Sequence, residues 1–363
     1  MEYTVYGMDE ELRNRIALVY ANRTRPRRAR ELLEHYASAT EAIARHPDQV
    51  SAEAMRHADS EMAFIEHHQI QVYYYKDADY PYRLAQCVDA PILLFGKGNL
   101  QVNPKHVLSI VGTRMPTERG KDLCHKLITD LSHIVPDLTI VSGLAYGIDV
   151  AAHRAALDAG IPTIIIPAHG LDRIYPAVHR EVAVRALENG GILTEYTCGT
   201  EPERYNFVAR NRIIAGMSDA VVVIESKEKG GSLITAQMAL DYNRDVFALP
   251  GRIEDATSAG CNALIKKQQA QLITCAEDIV SAMQWQTEHQ PVQTSIPVFT
   301  CDLNETQQAI LQLLQGAEDG LHVNQLVLEM QKPYNEISSE LVMMELQDVV
   351  RSLPGGMWRA VRY

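Results

Sequence analysis

With 363 residues, 46% of them apolar and 22% charged, the chain is long enough for two or three soluble domains, one with a substantial core. Its formal net charge of −12 excludes a broad basic face. A polyanion would have to be held focally, where a few Arg and Lys outweigh the background field. Six cysteines without a C-x-x-C pair fit reduced thiols in a cytoplasm and speak against a metal site. No apolar run is long enough to span a bilayer, and the acidic stretch Met1 to Glu11 predicts no signal peptide.

Residues 1–76 read as a small helical domain of the SAM or helix-hairpin-helix type, with apolar periodicity over Glu11–Tyr20, Ala29–Tyr36 and Glu53–His67. Asn22 to Pro26 is a hairpin turn, Pro26 opening the next helix, and Arg23, Arg25, Arg27, Arg28 and Arg30 form a basic run around it. Nine Asp and Glu offset nine Arg over the first 56 residues, so the run reads either as a solvated face or as a phosphate dock.

Residues 77–285 form the second domain, in which short strands alternate with helices from about residue 105. Strands are expected at His106–Val111, Thr139–Ser142, Thr163–Pro167, Ile192–Glu195, Ala220–Glu225 and Val246–Leu249, with helices between them. These strands are β-branched and almost continuously apolar, as in a parallel sheet covered on both faces. The fold class is therefore α/β, a Rossmann-like, doubly wound, mostly parallel sheet. Residues 286–301 are polar and read as a linker. Residues 302–363 show three helical segments, Asn304–Leu314, His322–Met330 and Ser338–Val350, and a hairpin around Pro354-Gly355-Gly356, the pattern of a winged helix. From residue 286 onward, ten Asp and Glu face four Lys and Arg, which suits protein contact better than phosphate.

Ligands of open α/β sheets bind outside the carboxyl ends of the strands. Gly112-Thr113-Arg114 follows the first strand of the alternation; Gly112 allows a sharp turn and Arg114 can fork onto a phosphate. The stretch is not G-x-G-x-x-G, so a dinucleotide cofactor has no support, and no Walker A loop is present to hydrolyse ATP. No cofactor is expected. Asp149 and His153 lie one helical turn apart, as an acid and base could, or more simply as a pair that fixes the loop Ser142–Gly147. Phe207, Arg210 and Asn211 share a helical face, an aromatic among guanidiniums suited to a base and its phosphate, with Arg212 beside them. Lys229, Gly231 and Ser232 lead into a helix and offer a further anion contact.

These blocks, with Tyr80-Pro81, Asp89 to Gly96, Pro250-Gly251-Arg252 and Ser258 to Lys266, resemble in order and spacing the signature blocks of the DNA-processing protein A (DprA/Smf) family, from about residue 75 to 283. The resemblance implies a non-catalytic scaffold that binds single-stranded DNA in a basic pocket, pairs as a homodimer and helps RecA recombinase assemble during natural transformation. By motif position Gly112, Thr113 and Arg114 would form the phosphate loop, Lys229 with Gly231 and Ser232 a second contact, and Arg210 and Arg212 the pocket lining, with a structural role as the alternative for Arg212. The dimer and RecA-facing surface would lie after Asn262, through Cys275 to Trp285. Lys266 to Ala270 departs from the family's glycine-alanine turn and puts the dimer edge in doubt. Two other readings compete. A nucleotide phosphoribohydrolase of the lysine-decarboxylase-like group would need a glutamate after its P-G-G-x-G-T block, and Lys229-Gly230-Gly231-Ser232-Leu233-Ile234-Thr235-Ala236 lacks it. A protein adaptor would rely on the acidic C-terminal domain.

Overall fold

The computed structural model describes residues 3–285, 303–317, 320–347, 349–353 and 356–360, so the expected linker lies outside the described residues. The chain divides into two units, 1–287 and 288–363.

The first unit opens with helices α1 (Tyr3–Ala21), α2 (Pro26–His35), α3 (Ala39–Arg45) and α4 (Ala52–His68). Ser38 and Ser51 cap α3 and α4 by accepting amide protons three residues on. Strand β1 (Gln71–Tyr74) follows, inside the stretch expected to be helical. It pairs antiparallel with β2 (Leu93–Lys97), which pairs antiparallel with β6 (Gly190–Thr194). A four-residue strand whose partner is distant in the chain leaves no periodicity to read, which is why the sequence missed this edge. Short helix α5 (Tyr82–Ala85) lies between β1 and β2. The N-terminal helices bury Ile16, Leu18, Leu32 and Leu33 in one cluster with Tyr74, Leu93 and Phe95 of those two strands.

The parallel part runs β3 (His106–Val111), α6 (Glu118–Ile134), β4 (Leu138–Ser142), α7 (Ile148–Asp158), β5 (Thr163–Ile165), α8 (Arg180–Glu188) and β6. The chain then returns through α9 (Arg204–Met217) to β7 (Ala220–Val223), α10 (Ser232–Asp241), β8 (Asp245–Ala248), α11 (Ala259–Lys266), β9 (Gln271–Leu272) and α12 (Ala276–Ala282). The nine strands lie in the order β1-β2-β6-β5-β4-β3-β7-β8-β9. From β3 the chain winds one way through β4, β5 and β6; from β7 it winds the other way. The reversal falls between β3 and β7, which pair in parallel from Leu108–Ala220 to Val111–Val223. This switch point opens a crevice at the carboxyl ends of the two strands. One face of the sheet buries Ile128, Leu131, Ile148 and Ile279 of α6, α7 and α12. The other buries Leu84, Ile213, Ala236 and Leu264 of α5, α9, α10 and α11. Both faces are dry, so the strands carry apolar side chains on either side, as their sequences anticipate.

The second unit packs α13 (Glu305–Gln315), α14 (Val323–Met330) and α15 (Tyr334–Leu346) against β10 (Leu321–His322), β11 (Val350–Leu353) and β12 (Met357–Ala360), the strands ordered β10-β12-β11. It is a winged helix. Helix α15 starts four residues earlier than periodicity suggests because Pro333 stands at its N-cap.

Candidate functional site

Three loops meet at the switch point. The loop after β3 is held by β7's extension: the Thr113 amide donates to the Glu225 carbonyl at 2.7 Å. The Glu225 carboxylate accepts from the Thr117 amide at 2.9 Å and the Thr117 hydroxyl at 2.6 Å. Thr117 in turn caps α6. The loop after β4 closes the other side, the Ile148 amide donating to the Thr113 carbonyl at 3.2 Å. Gly147 has φ of +83°, and a Cβ there would come within 2.2 Å of that carbonyl. Gly112 was expected to supply a turn; its role is close approach, since a Cβ would meet Ile148 Cγ1 at 2.5 Å. The fixed backbone leaves Arg114 exposed, and among the described residues no acid pairs with it.

Arg114 does not stand alone. Its guanidinium lies over the Phe207 ring of α9, 5.0 Å from the centroid. Phe207 is half-buried and has Tyr175 at 5.9 Å between ring centroids. Tyr175 is itself 44% exposed. The result is an aromatic shelf with a cation on top, open to solvent, at the mouth of the crevice.

Arg210 takes a different place from the one expected. It is 2% exposed, donates to the Ile166 carbonyl and fits against Gly143, where a Cβ would collide with the guanidinium. Burial lowers its pKa to about 10, and Asp149 works against that fall. It therefore acts from beneath the shelf, 6.0 Å from the Phe207 ring. Arg212 points elsewhere: it pairs with Glu195 at the end of β6, inside the fold. The helical face drawn through Phe207 and Arg210 turns inward after its first turn, because Ile213 and Ile214 must reach the core. Asn211 is half-buried beside them.

Asp149 and His153 do not pair. Asp149 is buried at the start of α7, where its carboxylate accepts from the backbone of Gly143 and Ala145; burial raises its pKa and Arg210 opposes the rise. His153 is fully buried, its Nδ1 2.7 Å from the Thr163 hydroxyl, and burial lowers its pKa to about 3, so it stays neutral. Asp149 thus holds the β4 loop, and His153 ties α7 to β5. On the other flank, Lys229 and Gly231 are exposed on the loop after β7, while Ser232 is turned inward, its hydroxyl donating to Ser226 Oγ at 2.9 Å. Among the described residues no cluster of His, Cys, Asp or Glu is placed to hold a metal ion, and no helix is long and apolar enough to cross a membrane.

Comparison with known proteins gives this geometry a family. Residues 71–284 match the model of DNA recombination-mediator protein A, and residues 299–356 that of the DprA winged helix domain. Protein Smf of Escherichia coli is 36% identical over 289 residues, covering 78% of this chain and 75% of its own. The chain belongs to the DprA/Smf family. Among solved structures, DNA processing protein A (DprA) from Streptococcus pneumoniae aligns with a TM-score of 0.58 at 38% identity, over 64% of this chain and 82% of that one. A structure giving insight into the single-stranded DNA binding mode of DNA processing protein A from Helicobacter pylori aligns with a TM-score of 0.54 at 30% identity, over 60% and 97%.

In this DprA/Smf chain the sequence reading missed Tyr175 and Arg204. Arg204 opens α9, is exposed and lies one turn before Phe207, so the same helical spacing that singled out Phe207 could have found it. Tyr175 sits on a loop, where no periodicity points to it.

Proposed function

We propose that this protein binds single-stranded DNA at the carboxyl ends of β3, β4 and β7 and does no chemistry on it. One observation carries the reading: an exposed Arg114, in no salt bridge among the described residues, rests on the half-exposed ring of Phe207 at the topological switch point. A base stacks on any aromatic face whatever its identity, and a phosphate draws the neighbouring guanidinium to itself, so the pair suits a strand held without sequence preference. Arg204 on the same helix and Lys229 on the loop after β7 are further exposed cations. The family supports the reading, as does the single-stranded DNA binding mode of the Helicobacter pylori relative. Asp149 holds the β4 loop and His153 ties α7 to β5, structural engagements that favour a scaffold over an enzyme.

The fuller reading is a cytoplasmic homodimer that protects incoming DNA and loads RecA recombinase during natural transformation. It puts the dimer surface after Asn262, where β9 pairs only with β8 at the sheet edge and Leu272 is 45% exposed. The winged helix serves protein contact: α15 carries Glu336, Glu340 and Glu345 and no Lys or Arg, and exposes Val342 and Met343.

The test is fluorescence anisotropy of the full chain with labelled oligo-dT and the corresponding duplex across a salt series. Selective binding of the single strand is expected, weakening linearly on a log–log plot. Lys229→Gln should reduce that slope by about 0.7. Equal affinity for both forms, or affinity indifferent to salt, would overturn the reading. Incubation with nucleoside monophosphates should release no free base; release would favour the phosphoribohydrolase.

A further inference from the structure

The arginine hairpin between α1 and α2 is a place of unusual charge density in an acidic chain. Arg23, Arg25, Arg27 and Arg28 are all exposed, and no Asp or Glu occurs from Ala21 to Arg30. Among the described residues, Arg23, Arg25 and Arg27 have no acidic partner, and Arg28 reaches only Glu31, at 3.5 Å between two exposed groups. Arg30 is different, since it donates to the Val88 carbonyl at 2.7 Å and helps seat α2 on the α/β layer. Four like charges crowded on one turn repel one another, a cost relieved when an anion lies across them. The first turn of α2 adds to the attraction, for its N-cap Arg25 offers no side-chain acceptor and leaves the Arg27 amide free, Pro26 having none and the Arg28 amide donating to the Arg25 carbonyl at 2.9 Å.

The hairpin is also wired to the strand-end site. The Arg23 guanidinium lies 4.4 Å from the Tyr20 ring centroid. Tyr20 stacks on His57 of α4, 3.8 Å between centroids and 19° between planes. His57 Nε2 is 2.9 Å from the Thr197 hydroxyl, and Glu61, one turn further along α4, accepts the Cys198 amide at 2.9 Å. Thr197 and Cys198 begin the segment that runs directly into Arg204 and Phe207 of α9. Even fully extended, the seven steps from Thr197 to Arg204 span at most roughly 25 Å. A cationic turn with an aromatic stack beside it thus lies within one strand's reach of the Arg114–Phe207 shelf.

We infer that the Arg23–Arg28 hairpin is a second phosphate contact, which the backbone of a single strand already seated on the Arg114–Phe207 shelf crosses once it is long enough. The inference rests on the single-strand reading above. It divides the footprint in two: a short oligonucleotide fills the shelf alone, and a longer one engages both. A single OB fold takes about 4–16 nucleotides, and on that scale oligo-dT of about 6 and about 30 samples the two regimes.

The experiment compares the full chain with the triple variant Arg25→Gln, Arg27→Gln, Arg28→Gln, using both lengths across a salt series. For the long strand the variant should lose affinity at low salt, its salt slope shallower by about 2, three cations at about 0.7 each. For the short strand the two proteins should agree, which also certifies the fold of the variant. The triple Arg→Lys variant should restore the slope, because it keeps the charges. An unchanged slope for the long strand overturns the hairpin contact while short-strand binding leaves the shelf intact; it would also leave an acidic protein segment as the hairpin's partner. Equal loss for both lengths overturns it too, by merging hairpin and shelf into one site. Failure of the parent protein to bind either length removes the single-strand reading and this inference together.

Discussion

Replacing Arg212 with alanine is expected to lower the unfolding free energy of the α/β unit by about 3–5 kcal/mol, the penalty for stranding one member of a buried ion pair. Its guanidinium pairs with Glu195, and the side chains keep only 15% and 18% of their exposure. Burial holds the Glu195 carboxyl above its usual range, with Arg212 pulling it back down. Without Arg212, burial and the nearby Asp89 charge both act upward, and the folded pKa of Glu195 rises further. A carboxyl whose folded pKa exceeds its unfolded value binds protons more tightly in the folded state. Its contribution is greatest below the unfolded pKa and is lost as pH rises through the folded one. The deficit of the variant should therefore widen from the normal carboxylate range upward. Denaturant unfolding at several pH values checks this, followed by the fluorescence of buried Trp285 in a Trp358→Phe background. The double variant Glu195→Gln, Arg212→Met should recover most of the loss. A small deficit independent of pH would mean that the pair does not hold β6 to α9.

That Arg212 carries stability rather than ligand was open in the sequence, and the reason is geometric. Helical spacing tells which residues share a face but not which way the face turns. Arg210 and Arg212 are two positions apart and go to different carbonyl and carboxylate partners, Ile166 and Glu195, while the exposed cations are Arg204 about two turns earlier and Arg114 on another element. The parallel strands were legible because β-branched runs such as Ala220–Val223 bury every side chain. The winged helix was legible in its three helices, less so in β10, two residues with no pattern of their own. The order of strands was not legible, and it is the order that brings the β3 and β7 loops together. Each loop alone was weak: Gly112-Thr113-Arg114 lacks a dinucleotide fingerprint and Phe207 would by default be core. Their convergence at a reversal of winding makes them one site.

Arg114 and Phe207 should accordingly fail in different ways. Arg114→Ala removes a charge-assisted contact to phosphate worth about 1.5–3 kcal/mol, which weakens oligo-dT binding roughly 10- to 150-fold. Because one cation is lost, the salt slope should also fall by about 0.7. Phe207→Ala removes a stacking face worth about 1–3 kcal/mol but no charge, so affinity should drop while the slope stays put. The guanidinium sits 5.0 Å from the ring centroid, so each holds the other in place. The double variant should then lose less than the sum, with a coupling of about 0.5–1 kcal/mol. Arg210 offers the contrast: buried against Gly143 and Ile166, it should when replaced by methionine destabilise the fold without the slope change of a lost phosphate contact. If Arg114→Ala leaves the slope untouched, or Phe207→Ala alters it, the strand does not run over the switch point, and the exposed cations at Arg204 and Lys229 become the next positions to vary.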